Sequence, residues 1–286
     1  MSAPAATTSD IRPCCLRGFP WEGTPSGTEL TLPGTSQPAY VAHPPGRSAD
    51  AGQPPSRAGI LLVHDLFGWA FANTRLLADA YARETGATVY LPDFFGGERL
   101  PLDAMLAGDW AALNLPSFVT RNTRAIREPE IVGYARALRG RHERVGAVGF
   151  CFGGWAVFRL GAGEFFAKGE GEGEEKDTAD GGARPKGLVD CIVAGHPTWL
   201  TKEDISGVEV PVQVLAPEVD EEYTEELKLF TFTQLQKKGV PLDYQHFPKV
   251  EHACFVRGDI RKEGERAAME RGKNAAVGWF RQWLHD

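Results

Sequence analysis

The sequence predicts an α/β fold, a mostly parallel central sheet with helices on both faces and a possible N-terminal β-hairpin. Two observations predict it. Short, nearly unbroken apolar runs such as GILLVH (59–64) and RVGAVGF (144–150) suit strands buried on both faces. These runs alternate with longer stretches of helical spacing, as crossover connections require.

The first 27 residues are rich in Pro, Gly, Ser and Thr and read as irregular. TELTL (28–32) and PAYVAH (38–43) flank PGTSQ and suit a short hairpin. Residues 44–57 have the composition of a surface loop. After the GILLVH strand, NTRLLADAYARET (73–85) carries Leu76, Leu77, Ala80 and Tyr81 on one helical face. Asn73 and Thr74 are candidate caps, and Gly86 is a candidate stop. ATVYLP (87–92) is the next strand. LDAMLAGDWAAL and RNTRAIREPEIVGYARALRG read as helical, with Pro129 expected to start or kink its helix.

RVGAVGF then runs into a helix beginning with GGWAVF. Residues 168–187 are glycine-rich and acidic with almost nothing to bury, and read as a flexible insertion. LVDCIVAGH (188–196), VPVQVLAPE (210–218) and LDYQHFP are further strands. Residues 224–239 form a helix opened by Thr224 and closed by Gly239, and EGERAAMERGKNAAVGWFRQWLH is a terminal helix. The expected organisation is an irregular segment over 1–27 and one domain over 28–286.

Composition narrows the function classes. At 286 residues with 42% hydrophobic content the chain can build a sizeable core. A net charge of −7 without a long basic run argues against nucleic acid or an anionic membrane as partner. The start lacks the basic and apolar regions of a secretory signal, and no run reaches the ~18 apolar residues of a membrane span. Five cysteines at irregular spacing do not suit a disulfide scaffold, so a cytoplasmic setting is expected. The adjacent Cys14 and Cys15 read as structural.

GFCFGG (149–154) carries the chemistry. A strand precedes it and a helix follows, the context of a nucleophile elbow. The turn is so tight that only small residues fit two positions either side of the nucleophile, here Gly149 and Gly153. Cys151 would project from the carboxyl edge of the sheet, where a helix N-terminus favours thiolate. A buried space-filling cysteine is the plainer alternative.

A thiol of this kind needs a base, and the base an orienting acid. His252, expected in the loop after the last strand, lies at that same edge. His246 sits within the strand, His43, His142 and His285 read as surface, and His196 could line the pocket. Among the acids of APEVDEE, Asp220 is favoured over Glu218, Glu221 and Glu222. The resulting chain order of nucleophile, acid and base is that of α/β-hydrolases. Backbone N–H groups of Leu66 and Phe152 would form the oxyanion hole, with Asp65 beside it as a turn residue, a cap or a modulator of the thiol.

The segments VHDLFGW, VYLPDFFGGE, GFCFGGW, APEVD and QHFPKVEHACF together resemble the dienelactone hydrolase family, in the manner of its fungal cytosolic branch. The resemblance runs from about Thr28 to His285. It implies an α/β-hydrolase fold, a triad of Cys151, Asp220 and His252, and Asp65 as the acid beside the resting thiol. Bacterial members hold a substrate carboxylate with an arginine shortly after the PD of the second strand. Here that stretch is Phe94-Phe95-Gly96-Gly97-Glu98, followed by Arg99. They also carry serine after the catalytic histidine, where this chain has Ala253.

The expected activity is hydrolysis of a small ester or lactone through an acyl-enzyme thioester, without cofactor or metal, by a monomer or homodimer. Phe67, Trp69, Phe94, Phe95, Trp155, His196, Trp199 and Phe255 are candidate pocket residues, with core packing as the competing reading for the aromatics. The alternative function is a ligand-binding or thiol redox-sensing protein without turnover. A metal site of His64, Asp220, His246 and His252 has no spacing signature to support it.

Overall fold

The computed structural model describes residues 13–47, 56–166 and 187–285. In it the apolar runs are strands. β1 (Thr28–Thr31) and β2 (Pro38–Ala42) form the expected antiparallel hairpin. β3 (Ala58–Val63) is buried along its whole length. α1 (Ala72–Thr85) follows and ends at Gly86, whose φ of 76° suits a residue without Cβ. After β4 (Thr88–Pro92) come α2 (Leu102–Ala107), a 3₁₀ turn, α3 (Leu115–Arg121) and α4 (Arg124–Arg139). β5 (Arg144–Phe150) feeds α5 (Phe152–Leu160). The remainder is β6 (Cys191–Gly195), α6 (Lys202–Gly207), β7 (Val212–Val219), α7 (Glu225–Lys238), β8 (Leu242–Glu251), α8 (Cys254–Arg257) and α9 (Glu263–Leu284).

The strands form one sheet in the order β1-β2-β4-β3-β5-β6-β7-β8, and every pairing from β4 through β8 is parallel. The chain moves one way from β3 to β4 and the other way from β5 onward. The carboxyl ends of β3 and β5 therefore flank a topological switch point, where open α/β sheets bind ligands. Side chains alternate across β3. Leu61 and Val63 join the core under α4 and α5, whereas Ile60 and Leu62 pack with Tyr81 of α1 and Phe280 of α9.

Several local expectations are corrected. Asn73 and Thr74 do not cap α1. Phe71 occupies that position without a side-chain bond, and both polar residues are buried. Asn73 instead accepts from the Trp21 amide and donates to the carbonyls of Phe19 and Val256. α4 starts at Arg124 and passes through Pro129, so the proline does not begin it. His142 is buried, bonded to the Tyr90 hydroxyl and the Ser56 carbonyl, rather than on the surface. Residues 48–55 of the predicted loop and 168–186 of the predicted insertion lie outside the described residues.

Candidate active site

Cys151 is the residue between β5 and α5, with φ 50° and ψ −113°, a conformation that costs energy for any side chain. Close packing explains the glycines around it. A Cβ on Gly153 would lie 2.2 Å from the Val63 carbonyl oxygen, and one on Gly149 would lie 2.0 Å from the Gly153 oxygen. The Cys151 amide is shared between the Gly195 carbonyl and His196 Nδ1, both at 3.1 Å, and the Thr198 amide donates to the Cys151 carbonyl at 2.9 Å. His196, Trp199 and Ala253 also have positive φ, so backbone strain gathers around this cysteine.

His252 follows β8, its amide bonded to the Val219 carbonyl. Its Nδ1 lies 2.9 Å from Asp220 Oδ1, which also accepts from the amides of Glu222 and Tyr223. Glu218, the rejected alternative, instead accepts from the Lys249 amide. The structure thus brings Cys151, His252 and Asp220 together at the carboxyl edge. Hydrogen bonding from Cys15 and the neighbouring imidazolium hold the Cys151 thiol well below its ordinary range, against the opposing effect of burial. Burial works to lower His252, but the Cys151 thiolate and Asp220 outweigh it and hold the imidazole well above its ordinary range. Both directions favour charge separation between the thiol and the imidazole.

Leu66 lies in the turn after β3, beyond His64 and Asp65, and Phe152 is the first residue of α5. Asp65 accepts from the Phe67 amide and forms a buried ion pair with Arg257 Nε at 2.6 Å. Burial pushes its carboxyl up, and Arg257 pulls it back. Arg257 also stacks over Phe67. Phe95, Trp155 and Trp199 surround the Phe152 ring, and Phe94 packs on Tyr134. His196 and Phe255 stack on each other, and His196 also meets the His252 ring. Trp69 packs with the α1 side of the sheet beneath Arg75 and Arg99, while the Gly97 amide is tied to Asp93.

The metal set considered from sequence is not assembled. His64 donates from Nδ1 to the Asp65 carbonyl and accepts the Phe94 amide at Nε2, and burial holds it neutral with a pKa lowered to about 4. His246 is exposed on β8. Among the described residues, Cys15 Sγ, Cys151 Sγ and His252 Nε2 are the donors close enough to share one soft metal ion.

Sequence reasoning missed three neighbours of the thiol. Thr198 Oγ1 is 3.3 Å from Cys151 Sγ. Arg257, a cation inside the apolar run ACFVRG, was a legible sign of a buried ion pair. Cys15, read as structural, places its sulfur 3.6 Å from His252 Nε2. Nothing in its local sequence signals that contact. The turn Pro13–Leu16 covers the site, leaving Cys151 2% exposed. The thiol lies at the carboxyl edge of the sheet and is covered there.

Fold and site together define an α/β-hydrolase whose elbow carries cysteine in place of serine. Residues 39–169 match the model of the dienelactone hydrolase family. The hydrolase pyvD of Aspergillus violaceofuscus is 30% identical over 276 residues, covering 95% of this chain and 96% of that one. The hydrolase tropI of Talaromyces stipitatus is 25% identical, covering 96% of each chain. The chain belongs to the dienelactone hydrolase family and is a hydrolase of its ester- and lactone-cleaving kind. A mouse carboxymethylenebutenolidase homolog is 38% identical over 125 residues, 43% of this chain and 45% of its own. The fold is shared with the dienelactone hydrolase of Anabaena variabilis, with a TM-score of 0.57 at 14% identity, covering 91% of this chain and 98% of that one. Among the described residues no helix is long and apolar enough to cross a membrane.

Proposed function

We propose that this chain cleaves a small ester or lactone through a Cys151–His252–Asp220 triad and a thioester intermediate. The observation that carries this reading is one strained strand-to-helix turn presenting a thiol to an imidazole whose far nitrogen is held by a buried carboxylate.

The Cys151 thiolate attacks the substrate carbonyl, and the Leu66 and Phe152 amides receive the developing oxyanion. His252 donates its Nε2 proton to the departing oxygen and is left neutral. Acylation also removes the thiolate charge that raised His252, so the imidazole becomes a base matched to activating water. Water then releases the acid and regenerates the thiolate–imidazolium pair. Asp220 fixes the ring and its tautomer. Substrate reaches the sulfur when the turn bearing Cys15 gives way, because Cys15 lies against the site and Cys151 is 2% exposed.

Small lactones and aryl esters assayed with wild type, Cys151→Ala and His252→Ala test the reading. Steady turnover is expected from wild type, with each substitution lowering it at least about 10²-fold. Turnover that survives Cys151→Ala would place the nucleophile elsewhere. Thiol alkylation without any turnover in wild type would favour the redox-sensing alternative.

A further inference from the structure

Cys15 is foreign to the hydrolytic mechanism, yet it occupies the centre of the site. The donor atoms of Cys15, Cys151 and His252 all lie within 4.8 Å of one another. Thr198 Oγ1 is 3.3 Å from the Cys151 sulfur and 4.0 Å from that of Cys15. The turn that carries Cys15 is clamped in place. Arg257 Nη1 donates to the carbonyls of Cys15 and Arg17 at 2.7 and 2.6 Å, and the Phe19 amide donates to the Arg257 carbonyl at 3.0 Å. Further along, Trp21 bonds through its amide to Asn73 and through its indole nitrogen to the Gly258 carbonyl. A second thiol is thus held against the nucleophile.

We propose that Cys15 is the resolving thiol of an oxidative modification site, closing a reversible disulfide with Cys151 when a hydroperoxide reaches the nucleophile. The Cys151 thiolate attacks one peroxide oxygen, and the O–O bond breaks. Cys151 becomes a sulfenic acid, and the other oxygen leaves as an alcohol or water, taking the His252 proton. Neutral His252, 3.6 Å from Cys15 Sγ, then removes the Cys15 proton. The Cys15 thiolate attacks the Cys151 sulfur. The S–S bond forms, the S–O bond breaks, and the departing hydroxide takes the proton back as water. Two thiols and one hydroperoxide yield one disulfide, one alcohol and one water.

The disulfide removes the nucleophile and pins the N-terminal turn over the site. It also pre-empts a second oxidation of Cys151, which a dithiol could not reverse. None of these steps requires ester turnover.

The experiment treats the reduced, full-length protein with a small molar excess of hydrogen peroxide, blocks free thiols and maps tryptic peptides by mass. Wild type and Cys14→Ser should both link the peptide ending at Arg17 to Val145–Arg159, with the loss of two hydrogens. Dithiothreitol should release the pair. Cys15→Ser should instead add two or more oxygens to Cys151 that dithiothreitol cannot remove. Irreversible oxygens on Cys151 in wild type, without a linked peptide, would overturn the proposal. So would a link to Cys14 alone, seen as its loss in Cys14→Ser. The comparison of wild type with Cys14→Ser decides even if Cys15→Ser fails to fold. Because the readout is mass, it stands apart from the fate of the hydrolytic reading.

Discussion

The elbow and the N-terminal turn each bring a thiol to the same imidazole, by opposite means. At the elbow, β5 and α5 are parts of the core, and backbone packed on backbone forces Cys151 into its conformation. The N-terminal turn is itself part of no strand or long helix. Its position comes from a few polar bonds, chiefly those of Arg257, and from the burial of Cys15 and Leu16. One thiol is fixed by the architecture and the other by a clamp that can be undone. The proposed function calls for this division of labour, a rigid nucleophile beneath a cover that yields.

Breaking the elbow should give the largest effect. In Gly153→Ala the new methyl would press on the Val63 backbone at the end of β3, which cannot rotate away. A loss of about 3 kcal/mol or more is expected, since overpacking against backbone admits no cheap relaxation. Denaturant unfolding measures it. A stability within experimental error of wild type would mean that the elbow is not tightly packed.

Legibility in the sequence follows the same division. The elbow is a local pattern, with glycines at fixed offsets between a strand and a helix, and so GFCFGG could be recognised by inspection. Strands β3 through β8 were legible for the same reason, as were Thr224 and Gly239 at the ends of α7. His252 and Asp220 followed from topology, because loops after parallel strands share one edge. The contact between Cys15 and His252 spans 237 residues and has no periodicity, so no local signal encoded it. Asn73 looked like a cap, but its amide is used by the N-terminal segment and α8 instead. His142 failed similarly, because its partners Tyr90 and Ser56 are distant in sequence.

Loosening the clamp should have an effect of comparable size, spread differently. Arg257→Met leaves Asp65 buried without its partner and removes the donors to Cys15 and Arg17. A cost of about 3–5 kcal/mol is expected from the broken buried pair. Replacing both partners, as in Asp65→Leu with Arg257→Met, should cost less than the single change, because no orphaned charge remains. Hydrogen exchange separates the two consequences. Amides of the N-terminal turn should lose protection in both variants, even where global stability is recovered. Retained protection in the double variant would show that burial of Leu16, not Arg257, holds the turn.

The smallest effect should come from removing only the second thiol. Cys15 is the leading influence that lowers Cys151, ahead of the charge on His252, while burial opposes both. A lowered thiol is deprotonated at all pH above its own pKa. In wild type, alkylation of Cys151 by iodoacetamide should therefore stay near its plateau as pH falls through 9.0. It should decline only well below the ordinary thiol value of 9.0. Cys15→Ala deletes the hydrogen bond to the thiolate but leaves the imidazolium, so the decline should move to higher pH without returning to 9.0. The rate must be read on the Val145–Arg159 peptide, so that other cysteines do not contribute. The comparison rests on the position of the decline and not on the plateau height, because opening the cover also changes access. An unmoved decline would mean that the Cys151 thiolate draws its stability from His252 alone, and that Cys15 stands beside the nucleophile without bonding to it.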